Sequence, residues 1–289
     1  IRVAYGRVLK ATPVYKQKHR ARPAALILGG GVAGMSAALA IADSGYQVHL
    51  VERGEMLGGN LLNLYYDARG SNPQRLLRDL VNRVRTHQRV AIHTRTEMVG
   101  LSGHVGFFRA RLETRLSNQE TQTNLIESGV IIVATGAQEA KDHPLLHLPG
   151  VLTQRQLEEK FIHHPQEIAN LKNVVMIQCV RPEGVPDYCS RVCCTNTMKN
   201  AIRIKLFNPG CNVTVLYKNI ITYGFRESHY TEARRLGVRF VRYTEEEQFQ
   251  VESKNGQLAV RVRDRALDRM LEFPADIVCL LYTSPSPRD

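Results

Sequence analysis

Cys179, Cys189, Cys193 and Cys194 fall inside one short window, QCVRPEGVPDYCSRVCC, while Cys211 and Cys279 stand apart from it. Thiolates are soft ligands, and four so close in sequence suit zinc or an iron–sulfur cluster. A free cysteine also behaves as a small buried hydrophobe. Crowding of this kind, in a chain with 6 cysteines, favours the ligand role. If the segment is helical, Cys189 and Cys193 lie at i and i+4 and share a face. Cys194 joins them only where the helix begins at the vicinal pair, a start that Pro186 just upstream permits. Neither a ferredoxin-type CxxCxxC nor a thioredoxin-type CxxC is present. Spacing alone does not choose between the two kinds of metal centre.

A second constellation lies in LILGGGVAGMSAALA, where Gly29-x-Gly31-x-x-Gly34 separates an apolar run from a helical pattern. The first glycine makes a tight turn, the second lets backbone approach a pyrophosphate, and the third lets helix pack on strand. The pyrophosphate then rests at the positive end of the helix. Glu52 ends the next strand, QVHLVE, where a carboxylate can reach the adenosine ribose. Gly58-Gly59 follows at the spacing of flavoproteins with two dinucleotide domains. The strand VIIV, ending in Ala134-Thr135-Gly136, resembles their second flavin-contacting motif. FAD is therefore the expected cofactor, with Gly30, Ala33, Arg53 and Asn60 completing the candidate set around these motifs. A NAD(P) domain and a degenerate, non-binding fold are the alternatives.

These residues need elements to hold them. AALIL (24–28), QVHLVE (47–52), VAIHT (90–94) and VIIVATG (130–136) read as strands. Between them lie helices over 32–45 and 73–87, the second with Leu76, Leu77, Leu80, Val81 and Val84 on one face. MVGLSG and GFFRARLET alternate and predict a hairpin. After a helix over 154–161, the strands NVVMIQ, NVTVLY and VRFVRY alternate with helical segments. One of these, CSRVCCTNTMKNAIRIKLF, stops at Asn208-Pro209-Gly210. LAVRVRD and the pair in LEFPADIVCLL follow as further strands.

Two successive βαβ units predict an α/β fold with two Rossmann-like dinucleotide-binding-type domains, the second carrying the cysteine site. NVVMIQ leads into thiols where a nicotinamide domain would place its glycine turn. The expected division is a linker or tail of an upstream domain over 1–23, an FAD-binding domain over 24–150 and a nicotinamide-domain-like unit over 151–281. The string YTSPSPRD (282–289) has no packing logic and reads as a non-native or disordered tail.

The formal net charge is +12, and no acidic residue occurs from Ile1 to Arg22. No nucleic-acid module accompanies that arm, so a solvated linker is the simpler reading. A cationic surface also suits an acidic electron-transfer partner. No run approaches the roughly 20 apolar residues that span a bilayer, and no secretory signal is visible. Crowded cysteines without a secretory context argue against a disulfide framework, and the expected location is cytoplasmic.

The segments LILGGGVAGMSAALAIADSGYQVHLVERGEMLGGN, VIIVATGAQE, VVMIQCV, YCSRVCCTNTMKNAIRIK and ITYGFRE together resemble the A-type subunit of the heterodisulfide reductase family. The resemblance covers nearly all of residues 24–280. It implies a thioredoxin reductase-like fold, FAD, and a [4Fe–4S] cluster held by Cys179, Cys189, Cys193 and Cys194. It also implies that Lys199, five residues beyond the vicinal pair, neighbours the flavin N5. A cation there stabilises negative charge on reduced flavin. The implied function is an electron-transfer oxidoreductase subunit that relays or bifurcates electrons. Its implied partners are the other subunits of a heterodisulfide reductase-like complex, with ferredoxin or hydrogenase- or formate dehydrogenase-type donors. A homodimer is compatible with this.

The chain also departs from the family. CVRPEGVPD stands where CVGSRDE is common, no ferredoxin-type module is present, and no cysteine lies between Gly59 and Ala134. The segment that would complete the flavin site after Leu281 is missing. Two rivals differ in class. One is an NAD(P)H-dependent flavin reductase of thioredoxin reductase type, disfavoured because VVMIQCV lacks the second glycine loop. The other is a zinc-stabilised, non-catalytic scaffold.

Overall fold

The apolar run that precedes the glycine turn forms the centre of the first sheet. In this computed structural model, residues 2–11, 21–116, 120–137, 143–180, 189, 191–244, 249–254, 256–264 and 267–282 are described. The chain begins with helix α1 (Arg2–Lys10), which buries no residue and lies within the stretch read as a linker or tail. Strand β1 (Ala24–Leu28) leads into α2 (Val32–Asp43) and β2 (Gln47–Val51). Helix α3 (Pro73–Thr86) follows, started by the Asn72 side chain, which accepts from the Gln74 N–H, with Pro73 at the first helical position. Strand β3 (Val90–His93) ends this βαβ series.

An antiparallel meander of β4 (Thr96–His104), β5 (Phe107–Arg115) and β6 (Thr121–Ser128) then crosses back to β7 (Val130–Val133). The parallel sheet has the order β3-β2-β1-β7. Helices α2 and α3 cover one face through Met35, Leu39, Leu77, Leu80 and Val84. The meander covers the other face through Leu26, Val51, Ala110 and Leu112. Each leucine, valine or methionine among them, once fully buried, contributes about 1.5–3 kcal/mol. The expected hairpin is thus two strands of three. TQTNLIES is polar and largely exposed, so its alternation gave no apolar signal for β6.

The second unit repeats this plan. Strand β8 (Val151–Thr153), α4 (Gln154–His163), α5 (Pro165–Ala169), β9 (Asn173–Val180), α6 (Cys193–Phe207), β10 (Asn212–Tyr217), α7 (Glu227–Arg235) and β11 (Arg239–Arg242) come first. A second meander, β12 (Gln250–Lys254), β13 (Gln257–Asp264) and β14 (Arg269–Ala275), leads into β15 (Ile277–Tyr282). The parallel sheet has the order β11-β10-β9-β15-β8, with its core built on Val174, Met176, Met198, Ile204 and Cys279.

Helix α4 opens on a reciprocal cap: the Thr153 hydroxyl accepts from the Gln156 N–H, and the Gln156 side chain accepts from the Thr153 N–H. The two strands read in LEFPADIVCLL belong to different sheets, β14 to the meander and β15 to the parallel sheet between β9 and β8. Among the described residues no helix is long and apolar enough to cross a membrane.

Candidate functional site

Three stretches of the first unit meet at the C-terminal end of its parallel sheet. Gly29 turns the chain at φ 112°, and its N–H donates to the Val51 carbonyl at 2.7 Å. A Cβ at Gly29 would come within 2.2 Å of the Ala134 carbonyl oxygen, and one at Gly34 within 1.8 Å of the Gly29 oxygen. Those two glycines are required by backbone packing. Gly31 is different: it is the N-cap of α2 at φ −76°, and an added Cβ would meet nothing nearer than Gly59 Cα at 4.0 Å. No side chain caps that helix start. Its first-turn N–H groups therefore face the turn, the arrangement that receives a phosphate.

Gly58 is tied to the turn by its N–H, which donates to the Gly30 carbonyl at 2.8 Å. Gly31 and Gly58 form a bridge, and the Asn60 amide donates to the Ala137 carbonyl at 2.9 Å. The Glu52 carboxylate accepts the Gly30 and Gly54 N–H groups, each at 2.7 Å, one on each oxygen. Each oxygen keeps lone-pair capacity for a sugar hydroxyl. Ala33, Arg53, Thr135 and Gly136 are exposed around this centre. The space beside Gly31, bounded by Gly59 and fronted by the helix start, fits the pyrophosphate of a dinucleotide.

The cysteines gather at the equivalent end of the second sheet. Cys179 lies near the end of β9 in the left-handed region at φ 60°, and Cys193 and Cys194 open α6. The helix therefore starts at the vicinal pair, and Cys189 precedes it as an exposed residue. The shared helical face expected for Cys189 and Cys193 is corrected accordingly: a residue ahead of the first turn is not placed by helical periodicity.

The Cys194 thiol is 3% exposed. It lies 3.7 Å from Gln178 Oε1 and 3.8 Å from the Asn219 carbonyl oxygen, which also sits 4.0 Å from Cys179 Sγ. The Ile221 N–H donates to Cys194 Sγ at 3.3 Å. Burial pushes the Cys194 thiol up to about 11, the Ile221 N–H opposes the rise, and the other three cysteines each add to it.

No three His, Cys, Asp or Glu side chains among the described residues are placed to hold one metal ion. A tetrahedral zinc site needs sulfurs about 3.8 Å apart, given Zn–S bonds of ~2.3 Å. A four-iron cube holds its thiolates at separate corners, farther apart, and the donor set of four thiols suits it. The other two cysteines differ. Cys211, just ahead of β10 rather than on a strand, and Cys279 on β15 are fully buried in the apolar core. Burial raises their thiols to about 11 and about 12. The loop CVRPEGVPD lies mostly outside the described residues.

Lys199 is buried on α6 at the junction of the units, not an exposed helix lysine. Its ammonium donates to Glu158 Oε1 at 2.5 Å and to the Tyr66 carbonyl at 3.2 Å. Burial lowers the Lys199 pKa and raises that of Glu158, and in each case the opposite charge of the partner pulls back. Sequence reasoning missed Glu158, Tyr66, Asn200 and Gln154, because contacts between such distant positions leave no local pattern. Glu158 Oε2 and Gln154 Nε2 are buried without a hydrogen-bond partner among the described residues. An open cleft of about 810 Å³ lies alongside, between Asp67–Arg69 and Gly224–His229, with Thr195 in its wall.

The model of the family "Pyridine nucleotide-disulphide oxidoreductase" matches residues 23–177, more than half of the chain. The chain is 25% identical to the A-type subunit of the ferredoxin:CoB-CoM heterodisulfide reductase of Methanosarcina acetivorans, covering 99% of this chain and 51% of that protein. It is 25% identical to the A-type iron-sulfur subunit of the CoB–CoM heterodisulfide reductase of Methanopyrus kandleri, covering 97% and 56%. The chain thus spans about half the length of the curated relatives it matches. Among solved structures, thioredoxin reductase of T. acidophilum superposes with a TM-score of 0.60 at 15% identity, covering 92% of this chain and 79% of that one. Bacillithiol disulfide reductase of Bacillus cereus gives 0.58 at 15% identity, with the same coverage. These two likenesses concern the fold alone, which is thioredoxin reductase-like.

Proposed function

Because this chain belongs to the pyridine nucleotide-disulphide oxidoreductase family, a family of redox enzymes, we propose that it is the core of an electron-transfer flavoprotein subunit. In this reading FAD sits on the first unit, residues 24–150, against Gly29–Gly34, Glu52, Gly58–Asn60 and Ala134–Gly136. A [4Fe–4S] cluster sits on the second unit, residues 151–281, held by Cys179, Cys189, Cys193 and Cys194. One observation carries it: the second sheet brings thiols to the strand end and helix start where the first sheet brings glycines. When bound, a flavin supplies two-electron chemistry and a cluster one-electron chemistry.

The chain's own residues do the rest. The glycine turn and the α2 start would bind phosphate, Glu52 would hold the ribose, and the Ile221 N–H donates to Cys194 Sγ, a bond that a thiolate keeps. With a flavin bound, Lys199 would supply a cation for its N5 side, where positive charge favours the reduced form. The curated relatives are named as A-type subunits of heterodisulfide reductases, and that supports a place in a complex of this kind. Its donor would be a ferredoxin or a hydrogenase- or formate dehydrogenase-type partner, and bifurcation would send one electron of a pair to the cluster and the other to an acceptor on a partner subunit.

The dinucleotide is where this reading and the NAD(P)H-reductase reading part. With Cys179 near the end of β9, where the first unit has its phosphate turn, NADH and NADPH are expected neither to bind nor to reduce the flavin. Anaerobic mixing of the full-length flavoprotein with either nucleotide, followed at the flavin absorbance band, checks this. Rapid, stoichiometric bleaching would establish the reductase reading.

A further inference from the structure

Tyr66 follows closely on the Gly59–Asn63 turn of the first unit, yet its side chain is buried in the core of the second. It is 3% exposed and packs edge-on against Phe161 of α4 at 6.0 Å between ring centroids. Its hydroxyl donates to Asn200 Oδ1 at 2.8 Å, and the Asn200 amide donates to Gln154 Oε1 at 2.6 Å. One side chain from the glycine-rich unit is thus fastened to α6 and α4 of the cysteine unit. A second tie, from Arg155 to Asn63 Oδ1 at 2.7 Å, runs the opposite way.

The ring also meets charge. Lys199 Nζ lies 4.8 Å and the Arg203 guanidinium carbon 4.5 Å from its centroid. The Glu158 carboxylate pairs with Lys199 in this buried setting, and Asp67 acts on it as well. The negative face of the ring offers the cations an attraction that grows as water is excluded. Its backbone carbonyl adds a direct acceptor for Lys199. The ammonium is therefore held by a carboxylate from α4 and by a carbonyl and a π face that both come from Tyr66.

We infer that Tyr66 is the positioning residue that holds the Lys199 ammonium and locks the flavin-side unit onto the cysteine unit. This extends the flavin role proposed for Lys199 and rests on it for its consequence, although the contact itself does not. The ring and the carbonyl do the positioning; the hydroxyl, through Asn200, sets the depth at which the side chain sits.

The test is amine labelling of the full-length protein with limiting acetic anhydride, read lysine by lysine by mass spectrometry. Tyr66→Leu is expected to raise Lys199 labelling about tenfold relative to the exposed Lys172. Tyr66→Phe, which keeps ring and carbonyl, is expected to stay within about twofold of wild type. Lys205, which sits on the same helix and donates to the Pro209 and Cys211 carbonyls, serves as control and should not change. An unchanged Lys199 in Tyr66→Leu, or Lys199 and Lys205 rising together, overturns the inference. Should Tyr66→Leu not fold, Tyr66→Met, which fills the space without a π face, takes its place with the same expectations. The readout needs no flavin and so tests the positioning role alone; the flavin role fails separately, if the full-length protein binds FAD and Lys199→Met leaves its reduction potential unchanged.

Discussion

Replacing Gly31 by valine is expected to leave the protein folded and strip it of FAD. The backbone there is at φ −76° and ψ −175°, which a β-branched residue adopts without strain. A Cβ meets only Gly59 Cα, at an ordinary 4.0 Å. What the added methyl groups take is the space beside the α2 start that a pyrophosphate needs. The expected loss of affinity is at least about 100-fold, roughly 2.8 kcal/mol. Flavin retained through gel filtration measures it, and thermal unfolding by circular dichroism reports the fold. Gly34→Val is the contrast: its Cβ runs into the Gly29 carbonyl, so fold and flavin should be lost together. A Gly31→Val protein with its normal complement of FAD would remove the assignment.

The second large effect concerns the thiols. Changing any one of Cys179, Cys189, Cys193 or Cys194 to alanine is expected to bring iron and acid-labile sulfide down to near background in anaerobically prepared protein. Cys211→Ala and Cys279→Ala should keep both, because those side chains are enclosed by Val213, Met176 and their apolar neighbours rather than grouped at the α6 start. Their cost is a cavity in the core, felt in stability alone. Metal lost equally from all six variants would mean unfolding, and metal retained by the four would mean that the cluster sits elsewhere.

The parts of this molecule that depend on neighbours in sequence could be read from the sequence. The phosphate turn is local chemistry: Gly29, Gly31, Gly34 and Glu52 fall in register along one strand–helix–strand run, and the structure joins Glu52 to Gly30 directly. The crowding of the cysteines was equally visible, but not how they are held. Helical spacing pointed to Cys189 and Cys193, whereas α6 begins at Cys193, and the groups beside the sulfurs, the Asn219 carbonyl and the Ile221 N–H, come from beyond β10. No periodicity signals a backbone group. The Lys199–Glu158 pair and the Tyr66 anchor join positions 41 and 133 residues apart in sequence, so only the packed structure reveals them. Among the elements, the short β8 and the polar β6 and β12 escaped notice because none carries an apolar run.

The central claim is that one polypeptide holds a flavin on glycines and an iron–sulfur cluster at the matching end of its second sheet. Its most direct test is to isolate the full-length protein under strict anaerobiosis and determine flavin, iron, zinc and acid-labile sulfide in the same sample, with spectra before and after dithionite. The account predicts FAD released on denaturation, iron and sulfide in equal amounts, and a broad visible absorbance lost with any of the four cysteines. Zinc without sulfide on those cysteines, or a protein that carries FAD and no iron, would contradict it.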